Sequence, residues 1–160
     1  MLLDNEFYFS DAQLLSAKSA STQTQSAHVD DLTGGTANKD GWGTSIGPSV
    51  GDGRHLSWWV MIGGSSAMAS TSSATLLAEL FVHTAATSIK SGKSIGQLEL
   101  PVDAAVGVRV SMGVPYNKLG STQRYIGVVY KSISNTITAT VESGYSVGPV
   151  DTQLVAADDT

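Results

Sequence analysis

Across residues 56–143 the chain consists of short runs in which apolar and polar residues alternate, separated by glycine, serine, proline and asparagine. In one run Ile137, Ala139 and Val141 alternate with threonines. A period of two places successive side chains on opposite faces of an extended segment, so each run predicts a β-strand with one buried face. Outside residues 10–18 no run of ten or more residues has a helical period. The pattern therefore predicts an all-β protein.

About eight strands follow from this pattern. Two lie near the N-terminus, within 12–19 and Gln25–Val29, although the first of these segments could instead form a short helix. The other six lie at 56–62, 74–84, 95–100, 107–112, 124–131 and 136–143. Pro101 and Pro115 end two of them, because proline cannot donate to a ladder. Eight short antiparallel strands with long connections predict a two-sheet sandwich of jelly-roll or Greek-key type, with an open barrel as the second choice.

A chain of 160 residues suits one domain with its own core. We expect an extended N-terminal arm over residues 1–24, a single β-sandwich domain over 25–149 and an acidic C-terminal tail over 150–160. Within the domain, residues 33–53 hold seven glycines and predict a long loop. Trp42 lies in the middle of this loop, and we expect its large ring to pack either on its own domain or on a partner.

The composition narrows the class of partner. Charged residues make up 14% of the chain, the net charge is −5, and the few basic residues are scattered, which argues against nucleic-acid binding. The longest apolar stretch, Trp58–Ile62, is too short to cross a bilayer. Asp4 and Glu6 stand where a signal peptide would carry positive charge, so we expect a soluble protein that is not secreted by a standard route. A weakly charged surface is easily desolvated, which favours a protein packed against neighbours.

Two segments resemble nucleotide-binding motifs only in part. Thr87–Ser94 is similar to a phosphate-binding loop, but a strand beginning at Ile95 follows it where that motif requires a helix. Gly41–Gly47 has the glycine spacing of a dinucleotide fingerprint without the flanking strand and helix. Glu79 and His83 share a strand face but stand roughly 13 Å apart, too far to hold one metal ion. We therefore predict no cofactor site.

The sequence gives equally weak evidence for a catalytic site and for a metal site. Asp30, Asp31 and Asp52 could offer carboxylates to calcium, yet no regularly spaced ligand set occurs. Cysteine is absent, which excludes disulfides and thiolate sites. Serine, histidine and aspartate are present, but the G-x-S-x-G elbow of a hydrolase is not. We expect a structural or binding protein and not an enzyme, with no catalytic residues and no metal.

The adjacent residues Trp58 and Trp59 must face opposite sides of their strand. At most one of them lies in the core, and the other faces outward, either towards a partner or beneath the loop 33–53. This pair is the clearest residue-level indication of an interface.

Several short pieces, in chain order, resemble the capsid cement (decoration) proteins of tailed bacteriophages. They are Asp4–Gln13 with Ala20–Thr22, Gly51–Gly53 leading into 56–62, Gly113–Tyr116 followed by Arg124–Tyr130, and Ile137–Val141. The sequence departs from that family in the longer segment 33–53 and in the tail from residue 150 onwards.

The resemblance implies a jelly-roll subunit on the outside of an icosahedral head, assembled in the host cytoplasm, that bridges neighbouring major capsid protein subunits without catalysis. The free protein is expected to be a homo-oligomer, a dimer or a trimer, because an exposed sandwich edge invites pairing. The hypothesised capsid or subunit contacts are Leu2, Leu3, Phe7, Tyr8, Phe9, Trp42 and Trp59.

Two other classes remain open. A carbohydrate-binding module or adhesin domain of a phage tail or head would stack sugar rings on exposed tryptophans. A jelly-roll hydrolase would need a converging histidine and carboxylate set, and the sequence does not reveal one.

Overall fold

The computed structural model describes residues 8–19, 21–31, 56–115 and 124–147, and the following account concerns these residues. They form ten strands: β1 (Tyr8–Lys18), β2 (Thr24–Gln25), β3 (Asp30–Asp31), β4 (Leu56–Ile62), β5 (Ala69–Ser70), β6 (Thr75–His83), β7 (Lys93–Leu100), β8 (Arg109–Gly113), β9 (Tyr125–Ile133) and β10 (Ile137–Val147). A short 3-10 helix, Ala86–Ser91, connects β6 to β7.

The strands form two antiparallel sheets of five strands that pack as a sandwich. In sheet A the order is β1-β10-β4-β8, with β5 also paired to β10; in sheet B it is β2-β9-β6-β7, with β3 also paired to β9. Counting β2 and β3 as one strand and β5 as an extension, the first strand pairs with the last, the second with the seventh, the third with the sixth and the fourth with the fifth. This nested pairing is a jelly roll, which confirms the predicted fold class.

The alternation pattern located the long strands well. All six strands predicted beyond residue 55 are present, and their ends lie within four residues of the predicted ends. The short strand β5 was missed, because a two-residue strand is too brief to show a period. It lies in a stretch that carries only small polar and apolar residues, where Met68 is nonetheless buried and Ser70 stands opposite Ile137.

The N-terminal segment agrees with the prediction in part, because the strand expected within 12–19 is present as part of the longer β1. Residues 8–18, expected to be part of an arm over 1–24, form β1 and pair along β10, and Thr24–Gln25 pairs with β9. Most of the strand expected at 25–29 is instead the connection between β2 and β3. Ala12 and Ala17 have positive φ values of 48° and 46°, and the register of β1 against β10 shifts around them. Because such irregularities break the period of two, the sequence pattern shows only the part of this strand that was predicted within 12–19.

The main core lies between the sheets and is built from alternate residues of the paired strands. Trp58, Val60 and Ile62 of β4 point inward from sheet A and are fully buried. A second, smaller cluster covers the outer face of sheet B, where Ile89 of the 3-10 helix packs with Phe81 and Val129. Burying each large apolar side chain contributes about 1.5–3 kcal/mol before the opposing loss of conformational entropy.

A buried chain of hydrogen bonds joins the two sheets. The Tyr130 hydroxyl donates to Ser10 Oγ at 2.9 Å and lies 2.6 Å from Ser143 Oγ. Ser10 Oγ donates to Gln13 Oε1, and Gln13 Nε2 donates to the Gln25 carbonyl. Strands β1, β2, β9 and β10 are thereby linked. Complete burial raises the pKa of Tyr130 to about 12, so the hydroxyl remains a donor throughout the physiological range.

Substitution of Phe9 tests whether β1 belongs to the folded domain. Its ring has no exposed surface and meets Tyr145 at a centroid distance of 4.5 Å. We expect Phe9→Ala to lower the free energy of unfolding by about 3–5 kcal/mol through the lost contacts and the resulting cavity. Leu14→Ala, on the same strand but 64% exposed, is the control and should change it by no more than about 0.5 kcal/mol. Urea denaturation measures both, and equal effects would contradict the placement of β1.

Candidate contact surface

The outer face of sheet A collects several of the residues predicted to make contacts. The described residues that point to this face, called the sheet A outer face below, include Tyr8 and Leu14 of β1, Ser57, Trp59 and Met61 of β4, Arg109, Ser111 and Gly113 of β8, and Thr140, Glu142 and Gly144 of β10. They share the face because opposite residues in an antiparallel pair project to the same side, and alternate residues of one strand do likewise.

The tryptophan pair divides as predicted. Trp58 is fully buried in the core, and Trp59 lies on the sheet A outer face. Trp59 is nevertheless only 3% exposed. The Arg109 guanidinium lies 4.5 Å from the centre of the Trp59 ring, and the Tyr8 ring meets it edge-on at 5.6 Å. Trp59 Nε1 also donates to the Tyr145 carbonyl at 3.2 Å.

A glycine makes this arrangement possible. Gly144 stands opposite both Tyr8 and Trp59, on the strand between them, so the two rings meet where no side chain intervenes. With Arg109 over one side of Trp59 and Tyr8 at its edge, the ring offers no open face on which a sugar could stack. Partial burial lowers the pKa of Arg109 from its usual value, an effect that the nearby Tyr8 opposes.

Two opposite charges share one row of the sheet A outer face. Glu142 stands opposite Met61, and Met61 stands opposite Arg109. Within the described ranges neither charged group forms an ion pair. The Glu142 side chain lies over Gly63, directly after β4, where the absence of a Cβ atom leaves room for its carboxylate, whereas the Arg109 guanidinium lies at Trp59. The row therefore presents a cation and a carboxylate that do not neutralise each other.

The predicted contact residues do not all reach this surface. Tyr8 and Trp59 are in contact there. Phe9 is a correction: its side chain is enclosed in the domain's own core, because the bulged β1 turns it inward, and it has no surface with which to touch a partner. The remaining predicted contacts, Leu2, Leu3, Phe7 and Trp42, lie outside the described residues.

Charged groups on sheet B are neutralised internally. Glu79, only 4% exposed, pairs with Lys131 Nζ at 2.7 Å and accepts a hydrogen bond from Gln97 Nε2 at 2.7 Å. His83 Nδ1 accepts the backbone N–H of Ala85. Glu79 and His83 therefore serve the local structure. Among the residues that the structure describes, no group of three or more histidine, aspartate or glutamate side chains is placed to hold a metal ion.

The segment that resembles a phosphate-binding loop does not have that motif's structure. Its first part forms the 3-10 helix, and β7 begins at Lys93, as the sequence predicted for a strand in this place. The backbone N–H of Gly92 bonds to the Ile89 carbonyl at 2.9 Å, so this amide is already occupied.

The two aspartates of β3 have different environments. Asp31 accepts two hydrogen bonds from Arg124, at 2.6 and 2.9 Å. Asp30 stands opposite the core residue Ile126, so its half-buried carboxyl points towards the space between the sheets. Burial raises the pKa of Asp30 to about 7. The third carboxylate considered for calcium, Asp52, lies outside the described residues.

Comparisons with known proteins identify no relative of this chain. Models of known protein families were scanned and none matches the chain, and a search of curated proteins finds no match either. In the described part of the chain no helix is long and apolar enough to cross a membrane. The fold and the surface thus define an all-β jelly-roll protein whose sheet A outer face carries a Trp–Tyr–Arg cluster.

Sequence reasoning missed Arg109 and Glu142. Each is a single charge at a polar position of an alternating run, which is the ordinary signature of a solvated strand face. Only the pairing of β10 with β4 and of β4 with β8 brings them into one row. The alternation correctly predicts the face on which each residue lies, but it contains no signal for their shared row.

The raised pKa of Asp30 predicts that the stability of the folded protein depends on pH. Its pKa is higher in the folded protein than the ordinary value of 3.8, so between pH 4 and 7 the folded state binds more protons than the unfolded state. Stability is therefore highest at low pH and falls as pH rises through this window. Between pH 5 and 8 the free energy of unfolding of the wild-type protein should fall, and we expect Asp30→Asn to make this fall smaller by about 1–3 kcal/mol. Asp11→Asn, at an exposed carboxylate, is the control; urea titrations with the same pH slope in both variants would contradict this assignment.

Proposed function

We propose that this chain is a non-enzymatic structural protein of a virion: a capsid cement subunit that binds the outside of a phage head and bridges neighbouring major capsid protein subunits. The observation that carries the proposal is the position of β1. This strand lies at an edge of sheet A and begins at Tyr8, directly after the apolar residues Leu2, Leu3 and Phe7. An apolar segment leading into an edge strand is suited to adding to the surface of a neighbouring subunit.

The pieces of sequence that resemble cement proteins support the proposal by their places in the fold. The opening piece leads into β1, the piece at 56–62 is the inner strand β4, and the last two pieces contain β9 and the start of β10. The resemblance therefore follows the strands that make the jelly roll, so it agrees with a shared framework.

The distribution of charge also supports it. A cement protein must approach a shell at many equivalent sites, and each contact is weak by itself. A standard interface buries about 800 Å² per partner, and repetition over a symmetric shell raises the effective concentration of each further contact. Only 14% of the residues in the chain are charged, so its surface has few charged groups to desolvate on such contact.

Binding to expanded heads tests the proposal directly. Purified protein is added to expanded heads that lack it, the heads are sedimented, and the bound protein is quantified. We expect saturable binding with a fixed number of copies per head and a higher temperature of head disruption. An absence of binding at concentrations of about 100 μM, far above those of ordinary specific complexes, would reject the function.

Removing the first seven residues tests the role of the arm. The truncation ends before Tyr8, because Tyr8 contacts Trp59 and Phe9 is part of the core. We expect the shortened protein to keep its thermal unfolding temperature and to bind heads at least tenfold more weakly. Leu14→Ser is the matched control, because it removes exposed apolar surface from β1 itself. Undiminished head binding by the shortened protein would refute the arm's role.

A further inference from the structure

We propose that the sheet A outer face is an interface between two copies of this chain, in which Arg109 of each copy pairs with Glu142 of the partner subunit. The inference concerns self-association and does not depend on the capsid proposal. Its basis is the row Glu142–Met61–Arg109, which runs across β10, β4 and β8.

The row is self-complementary under a two-fold rotation. The Arg109 guanidinium lies at Trp59 and the Glu142 carboxylate lies over Gly63, so the two charged groups stand on either side of Met61 along the direction of β4. A two-fold axis that is perpendicular to the strands but parallel to the sheet, and that passes above Met61, exchanges these two positions. It therefore places each guanidinium opposite a carboxylate, twice in the same interface.

The charges also select this axis over the other simple choice. A two-fold axis parallel to the strands would bring each charged group against its own copy. That arrangement sets Arg109 against Arg109 and Glu142 against Glu142, and like charges at contact distance oppose association. Two sheets that pack face to face keep their strands within about 30° of each other, which the first axis allows.

The composition of the face fits a contact between proteins. Tyrosine and arginine are among the residue types that dominate binding energy at interfaces, and here the exposed Arg109 and the half-buried Tyr8 are both held in place by the buried Trp59. Beside them lie two small residues that permit close approach, Ser111 and Gly113. Stacking on Trp59 restricts the Arg109 guanidinium before any partner arrives, so less conformational entropy is lost on pairing.

The two charges lack partners within the described part of the monomer, whereas sheet B neutralises Glu79 with Lys131. In the proposed dimer, the partner subunit provides an opposite charge for each of these two residues. The face spans four strands, about 15 Å, and the seven residues of β4, about 23 Å, which is roughly 350 Å² of flat area. Because this is less than the standard contact of about 800 Å² per partner, we expect a weak dimer, with a Kd of about 10–500 μM.

Reversing the charge of Arg109 or of Glu142 tests whether the two residues pair across the interface. Sedimentation equilibrium of the wild-type protein up to about 1 mM should show a monomer–dimer equilibrium in the Kd range above. R109E and E142R should each weaken the dimer at least tenfold, because each variant faces its own copy with like charges. An equimolar mixture of the two variants should dimerise again, since one chain then carries only carboxylates at these positions and the other only cations.

The controls separate the interface from general charge effects and from misfolding. Lys90→Glu and Glu99→Arg make the same charge changes at exposed sites on the other side of the sandwich and should leave the dimer unchanged. Recovery in the mixture also shows that the single variants are folded. A monomeric wild type, single variants that dimerise normally, or a mixture that stays monomeric would overturn the proposal. A monomeric wild type whose binding to heads is lost in R109E would overturn it too, and would assign this face to the capsid shell.

Discussion

The pairing of the first strand with the last is the constraint on which the rest of the structure depends. In a jelly roll the outermost pair closes the nested hairpin, and here β1 lies against β10 despite three shifts of register. Phe9 packs on Tyr145 inside the sandwich, and the Tyr130 hydroxyl joins Ser10 of β1 to Ser143 of β10. Because these hydroxyls are buried and mutually satisfied, sliding β1 along β10 would leave each of them unpaired, at about 1–3 kcal/mol for each group. The network thus holds the register that the alternation of side chains specifies only weakly in this strand.

Among the described residues, charged side chains are paired with opposite charges on sheet B but not on the outer face of sheet A, and the proposed dimer rests on this difference. On sheet B the buried Glu79 is neutralised by Lys131, and at the end of that sheet Arg124 binds Asp31. On sheet A, Arg109 stacks on Trp59 and Glu142 covers Gly63, and neither meets an opposite charge among the described residues. A dimer formed through sheet A would carry two copies of the segment before β1. Two such segments on one particle would strengthen weak attachment to a shell through effective concentration, so the two proposals reinforce each other without requiring each other.

The long strands could be predicted because each has one face in the core and one outside it. Burial on one side forces alternation, and this is why β4 begins and ends where the pattern says. The weaker elements could not be predicted, for identifiable reasons. Strands β2, β3 and β5 have two residues each, too few to show a period. The bulges at Ala12 and Ala17 break the alternation of β1, so the pattern predicted a strand only within 12–19, whereas β1 extends from Tyr8 to Lys18.

By itself the sequence determined the all-β class, the positions of six strands and the division of Trp58 and Trp59 between inside and outside, because all three depend on the period of two along a single strand. Only the tertiary structure decided which strands are neighbours. It buried Phe9, covered Trp59 with Arg109 and Tyr8, and set Glu142 and Arg109 in one row. Those relations join residues far apart in the chain, and they follow from the nested pairing of strands, which no local pattern of side chains encodes.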